Sequence, residues 1–418
     1  MLIDNKMLIN YIKLKNKILK IREEFPILKN CIHKLYELIF FDNAATSQMP
    51  NNVINIMNEY NNYYNANIHR GITYLSKEVT IAYERTRKMV CKSINAKYKE
   101  EIIFTKGTTE SINIISNSYG NLLDKGSEIV ISMMEHHSNI LPWKILSINK
   151  GFKLKIIPVT ETGLIDIKRF HNLLTHQTKL VVITHVSNVL GTTNKINILS
   201  KIVHKKQALI LIDGAQAISH KKIDVQKIKI DFYVFSAHKT YGPTGVGILY
   251  VRLDILNKMD PWQYGGDMVK YFSFFKEQII YSELPYKFEA GTQTICNIIA
   301  YYSSLKWLTK NLKLIKTWEK LLVYFIIKDF QQIKTIHIIG RSKKVSVVSF
   351  LIEGINSHDI GLVLDKYGIA IRTGHHCGQP ILTNYGINTV CRVSFALYNN
   401  LEEINTFIRT LKTLIKIF

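Results

Sequence analysis

Residues 209–245 read LILIDGAQAISHKKIDVQKIKIDFYVFSAHKTYGPTG. Two short apolar runs, LILI and FYVF, are rich in β-branched and aromatic residues and each stops on polar ones: Asp213 after the first, Ser236, His238 and Lys239 after the second. Runs of this length and composition, separated by a helical stretch, are the mark of buried strands in an α/β sheet. Working outward, EIIFT, EIVISM, KLKIIPV, KLVVITHV and GVGILYV repeat the pattern between about residues 100 and 252. Seven such strands alternating with helices predict a domain built on a largely parallel sheet. In such folds, chemistry collects at the carboxyl ends of the strands.

That is where the reactive side chains stand. A lysine directly after an apolar strand and before a Gly/Pro turn is poorly placed for packing and well placed to form a Schiff base. An acid on a neighbouring strand end can pair with a pyridinium nitrogen and keep it protonated, which turns a bound ring into an electron sink. Asp213 alone is also an ordinary Asp-Gly turn; with His238 and Lys239 in this order it becomes a constellation. Upstream, KGTTESINII places Gly107, Thr108 and Thr109 before an amphipathic helix whose free N–H groups favour an anion. A threonine N-cap followed by Glu110 accounts for the same residues. Ser236 and His238 offer a hydroxyl and an imidazole to complete a phosphate cup.

The remaining composition narrows the field. The chain has 418 residues and a net charge of +23, which invites a nucleic-acid or acidic-surface partner. The lysines are spread along the whole length, with no basic arm, zinc-finger spacing or RNA-binding signature, so no nucleic-acid partner is expected. Five cysteines, Cys31, Cys91, Cys296, Cys377 and Cys391, form no CxxC pair, which argues against a disulfide framework or a zinc site and for a reducing compartment. His375 to Cys377 could be half a metal site, but no fourth ligand stands at usable spacing, and no metal is expected. No apolar run is long enough to span a membrane. The lysine-interrupted first residues read as an amphipathic helix, so the expected location is cytoplasmic, with an organellar stroma as the alternative.

The motifs FDNAATSQMP, HRGITYLS, TKGTTESIN, MEHHSNILPW, THVSNVLGT, DGAQA, SAHKTYGPTGVGILY, YGGDM, FEAGT, RTGHHC and CRVSFALYN together resemble the SufS-type (group II) cysteine desulfurases of the class V aminotransferase family, from about Phe25 to the C-terminus. The resemblance implies the fold type I of pyridoxal-phosphate enzymes: a large domain with a mostly parallel seven-stranded sheet and a smaller α+β C-terminal domain. The expected division is an N-terminal helical segment, 1–30, packing with the small domain, a large cofactor domain, 31–305, and a small domain, 306–418, carrying the sulfur-accepting cysteine.

Carried over by position, the resemblance implies pyridoxal 5'-phosphate bound through Lys239, with Asp213 on the ring nitrogen, Gln216 on the ring hydroxyl and His136 stacked on the ring and assisting proton transfer. Thr108, Thr109, Ser236 and His238 would hold the phosphate, joined by Thr292 from the second subunit of a homodimer. Asn188 and Arg392 would hold the substrate carboxylate, an anion suited to an arginine fork, with Arg372 and His69 nearby. L-cysteine would be converted to L-alanine, leaving a persulfide on Cys377 for a small SufE- or SufU-like acceptor protein that feeds iron–sulfur assembly. Selenocysteine lyase, or a transaminase acting on another amino acid, is the rival within the fold, and an idle basic scaffold the rival outside it. The sequence departs from the family pattern at Thr240, where leucine is common, at Gly378, where alanine is common, and in QTIC after FEAGT. Gly378 is expected to loosen the segment bearing Cys377.

Overall fold

The computed structural model describes residues 5–32, 35–340 and 342–417; residues 1–4 of the expected N-terminal segment lie outside it. Its centre is a seven-stranded sheet of Ile102–Thr105 (β1), Glu128–Ser132 (β2), Lys153–Ile157 (β3), Thr178–Thr184 (β4), Leu209–Asp213 (β5), Phe232–Ser236 (β6) and Gly247–Val251 (β7). The strand order is β1-β7-β6-β5-β4-β2-β3. Only β7 runs against its neighbours; the others are parallel.

Both faces of the sheet are covered, which is why its strands read as unbroken apolar runs. Successive side chains nonetheless go to opposite faces. Ile210, Ile212, Tyr233 and Phe235 pack into one core, whereas Leu211, Phe232 and Val234 pack into another. The carboxyl ends of β1, β2, β4, β5 and β6 therefore open on one edge, each followed by a loop that carries polar residues.

A second sheet, of Ile336–Ile338 (β8), Val347–Ile352 (β9), Arg372–Gly374 (β10) and Val390–Ser394 (β11), is antiparallel in the order β8-β9-β11-β10. The helices Ser357–Lys366 and Leu401–Ile417 accompany it. Its core includes Phe350, Val393 and Phe407, and also Tyr11, Ile18 and Phe25 from the N-terminal segment. Tyr11 of the helix Asn5–Arg22 stacks on Trp318 at 4.9 Å. Leu38, Ile39 and Phe41 belong to this core as well, because Ile39–Phe40 pairs in parallel with Ile369–Ala370. The helix Ile295–Phe330, 36 residues long, passes through position 305/306 without a break.

Between the two sheets' contributions an exposed hairpin, Val269–Ser273 with Gln278–Tyr281, presents Phe272, Phe274 and Phe275 to solvent. Among the described residues no helix is long and apolar enough to cross a membrane, and no cluster of metal-ligating side chains occurs.

Candidate active site

The strand ends surround a cavity of about 390 Å³, a size suited to a small-molecule ligand. Lys239 lies on its floor, in the one-turn helix Ala237–Lys239 after β6. The turn is fastened from the FDNAATS stretch: Ser47 N–H donates to the His238 carbonyl at 2.8 Å, and the hydroxyls of Thr46 and Ser47 donate to the same oxygen. Ser47 Oγ in turn accepts from Tyr241 N–H at 2.7 Å, where the backbone is left-handed at φ 63°. Thus the FDNAATS motif shapes the lysine turn from some 190 residues away. Thr240, the departure from leucine, is buried; its hydroxyl donates to the Ala237 carbonyl at 2.8 Å, and its oxygen stands 3.1 Å from the Tyr301 hydroxyl.

Burial lowers the Lys239 amine to about 8, against the opposing pull of Asp213, with Arg392 and Arg372 lowering it further. Asp213 is buried at the end of β5. Burial raises its carboxyl pKa, while the Ala215 N–H, which donates to it at 2.9 Å, and the charge of Lys239 pull it down. A buried acid and a buried amine on adjacent strands are each unfavourable alone and mutually supporting together. Gln216 also lines the cavity, with its amide donating to the Ala44 carbonyl at 2.6 Å.

At the end of β1 the helix Thr108–Ser118 begins. Its first N–H, on Thr108, donates to Ser236 Oγ at 2.8 Å, and the two hydroxyls are 2.7 Å apart. A helix N-terminus with clustered hydroxyls at a cavity wall is an anion seat. Thr109 and His238 line the same wall. Burial, then Lys239, lowers the His238 pKa to about 4, so its imidazole is neutral near pH 7.

His136 follows β2. Ser138 N–H donates to its Nδ1 at 3.1 Å, which leaves the neutral ring's proton on Nε2. Burial, followed by the charges of Lys239, His137, Arg392 and Arg372, depresses its pKa to about 4. The preceding residue, Glu135, is fully buried, and accepts from Asn139 Nδ2 at 2.6 Å and from Thr184 N–H at 2.7 Å. Burial pushes its pKa up to about 8, and its carboxyl group joins the turn after β2 to the end of β4.

The small domain supplies the other wall. Arg392, on β11, is 2% exposed; it donates to Asp42 at 2.9 Å and to the Asn188 carbonyl at 3.1 Å. Its buried Nε has no partner among the described residues, a donor left for a ligand. Arg372 reaches Asp42 from the other side at 3.5 Å. Asn188 Nδ2 donates to the His376 carbonyl at 2.7 Å, so this amide fastens the cysteine loop. His376 and Cys377 both have left-handed backbone, φ 50° and 53°, a conformation that costs non-glycine residues about 1–3 kcal/mol each. The loop is held by the Asn188 bond and by Cys377 N–H donating to His375 Nδ1 at 3.0 Å. Gly378 is not a loosening residue. Its φ is −127°, and a Cβ there would stand 2.6 Å from Val189 Cγ2; glycine permits close packing.

Of the fourteen residues to which the resemblance gives a catalytic, cofactor or substrate role, twelve line this one cavity. His69 and Thr292 do not. His69 faces Glu84 at 3.3 Å in a separate cavity of about 460 Å³ bordered by Gly291 and Gln293, and Thr292 is exposed beside it. Sequence reasoning passed over Asp42, Ala44 and Glu135, although the first two lie in FDNAATS and the third precedes His136; it weighed His376 only as part of half a metal site.

This architecture is that of a class of enzymes, and the chain belongs to the aminotransferase class-V family, which it matches over residues 39–407. Its similarity to cysteine desulfurases runs nearly end to end. It is 44% identical to the cysteine desulfurase of Wigglesworthia glossinidia brevipalpis over 395 residues, 94% of this chain and 96% of that one. With the enzyme of that name from an Escherichia coli strain it shares 39% identity over 94% and 97% of the two chains. Among solved structures, it superposes on apo cysteine desulfurase from Thermococcus onnurineus NA1 with a TM-score of 0.90 at 35% identity, covering 96% of this chain and 98% of the other. The Escherichia coli cysteine desulfurase CsdA, in an S-sulfonic acid form, gives a TM-score of 0.89 at 30% identity over 96% and 99%.

Proposed function

We propose that this chain takes sulfur from L-cysteine with pyridoxal phosphate at Lys239, passing it through Cys377 to a small acceptor protein for iron–sulfur assembly. The observation that carries the reading is the convergence of Lys239, Asp213 and Cys377 on one cavity.

The residues fit pyridoxal phosphate. The Thr108–Ser118 N-terminus and the hydroxyls of Thr108 and Ser236 suit its phosphate, Asp213 suits a pyridinium nitrogen, and the orphaned Arg392 Nε suits a substrate carboxylate. When bound, this cofactor supplies an electron sink that weakens the bonds to Cα and allows the Cβ–S bond to break. Lys239, with its amine lowered to about 8, is the base that takes the Cα proton and returns one to the carbon that becomes the alanine methyl. Cys377, as thiolate, attacks the substrate sulfur; a sulfur–sulfur bond forms as the carbon–sulfur bond breaks. Neutral His136, with its proton on Nε2, lines the same cavity. We further propose a homodimer, in which Thr292 and His69, both outside the cavity of their own chain, serve the partner's site, and a cytoplasmic location in keeping with five free cysteines.

The test is direct: purified protein is given L-cysteine, and alanine and protein-bound persulfide are measured. Equal amounts of both, lost together in Lys239→Ala, support the proposal; alanine without any persulfide on the chain overturns the role of Cys377.

A further inference from the structure

Six of the lysines that look scattered in sequence are gathered by the fold at one place. A cavity of about 400 Å³ is lined by Lys195 from the loop after β4, Lys221 from the turn beyond β5, Lys316 and Lys320 from the long helix, and Lys343 and Lys344 from the loop before β9. Half of its twelve lining residues are lysine, against 55 lysines and arginines in 418 residues overall, so general lysine richness does not account for it.

Lys344 has a structural assignment: it is buried, and its ammonium donates to the carbonyls of Leu190 and Ile339 at 2.8 and 2.7 Å. The other five have no ion-pair partner among the described residues. The one carboxylate lining the cavity, Glu319, is 1% exposed and engaged with His220 Nδ1 at 2.7 Å. Lys316 lowers the pKa of half-buried Lys221 in addition to the effect of burial, a sign of cations crowded without counter-charge. Such a cleft concentrates anions, since like charges on low-dielectric walls focus the field. The ligand is defined by the donors: compact ammonium point charges suit phosphate oxygens, whereas planar carboxylates favour arginine forks.

We infer that this cavity binds a small soluble anion carrying two or more phosphate groups. The cavity is separate from the proposed active site yet close behind it. His220 and Glu319 form its inner wall and also border a space of about 10 Å³ reached by Lys239 and Gln216. An occupant would therefore lie one buried His–Glu pair away from the lysine turn.

The experiment uses the cofactor-loaded protein, so that the phosphate seat at Thr108 is filled, and titrates it with inorganic triphosphate by calorimetry at fixed ionic strength. Saturable binding at one site per chain is expected. Lys316→Gln/Lys320→Gln, two exposed positions on one helix face, is expected to weaken it roughly tenfold or more, the effect of removing two nearby charges. Lys13→Gln/Lys17→Gln makes the same change in net charge on the N-terminal helix and is expected to leave binding unaltered. The inference is overturned if triphosphate gives no saturable binding, if both double variants weaken it equally, or if only cofactor-free protein binds. Capture of a polyglutamate peptide through Lys316 and Lys320 with no response to triphosphate would also overturn it, and would point to an acidic protein surface instead.

Discussion

The backbone N–H of His137 donates to the carbonyl of Cys377 at 2.8 Å, so the loop bearing the thiol is clipped to the turn that presents His136. The two residues come from different domains. Their bond fixes the Cys377 backbone while leaving its thiol, half-exposed, at the cavity wall.

Cys377→Ala is expected to bind cofactor and substrate normally and to form no protein-bound persulfide. No other cysteine is placed to substitute: Cys391 is buried and its thiol is pushed up to about 12, and burial raises Cys91 and Cys296 as well. Cys31, though exposed, is not at the cavity. Alkylation and peptide mapping check this, and a persulfide found on any of the four would contradict it.

For Asp213→Asn, cofactor retention with a kcat lowered by about 10²–10³ is expected, the usual cost of losing one preorganised electrostatic partner. Steady-state kinetics alongside the visible absorption of the bound cofactor separates the two effects. Near-normal kcat would reduce Asp213 to a turn residue.

Arg392→Ala is expected to raise KM for cysteine roughly ten- to a hundredfold, as loss of a ~1.5–3 kcal/mol hydrogen bond to a charged group would. Asp42→Asn should raise it less, because the guanidinium remains but is no longer aimed. Equal KM values in wild type and Arg392→Ala would place the carboxylate elsewhere.

The depressed Lys239 amine gives a pH dependence with a definite sign. Only the neutral amine can capture an aldehyde, so cofactor uptake by stripped protein should accelerate as pH rises toward about 8 and level off above it. The unfolded chain holds this proton more tightly, with its pKa near the ordinary 10.5. This group's contribution to stability should therefore rise with pH between about 8 and 10.5 and be flat below. Uptake that kept accelerating to pH 10 would mean the amine is not depressed.

Much of the site was legible because its residues stand directly on strand ends. Asp213, Ser236 and Lys239 could be read from two apolar runs and the polar residues that end them, and the seven strands likewise, since burial on both faces leaves a plain apolar signature. Asp42 was not legible in that way. Its role comes from pairing with Arg392 and Arg372, 350 and 330 residues distant, and no local pattern encodes such a partner. Glu135 was hidden for a related reason: an acid beside His136 reads as polar surface, whereas it is a buried junction between two strand ends. Gly378 misled because glycine suggests freedom, and here the missing side chain makes room for Val189.

The helix Ile295–Phe330 has one further consequence. At 1.5 Å per residue it is a rod roughly 54 Å long, with Ile298 and Tyr301 rooted in the large domain's core and Trp318, Leu322 and Phe330 in the other. A shared strut of this kind leaves no flexible joint about which the lobes could swing apart at this point. Heat or denaturant should then melt both lobes in a single cooperative step, and the thiol should be reached by movement of loops over a stiff frame.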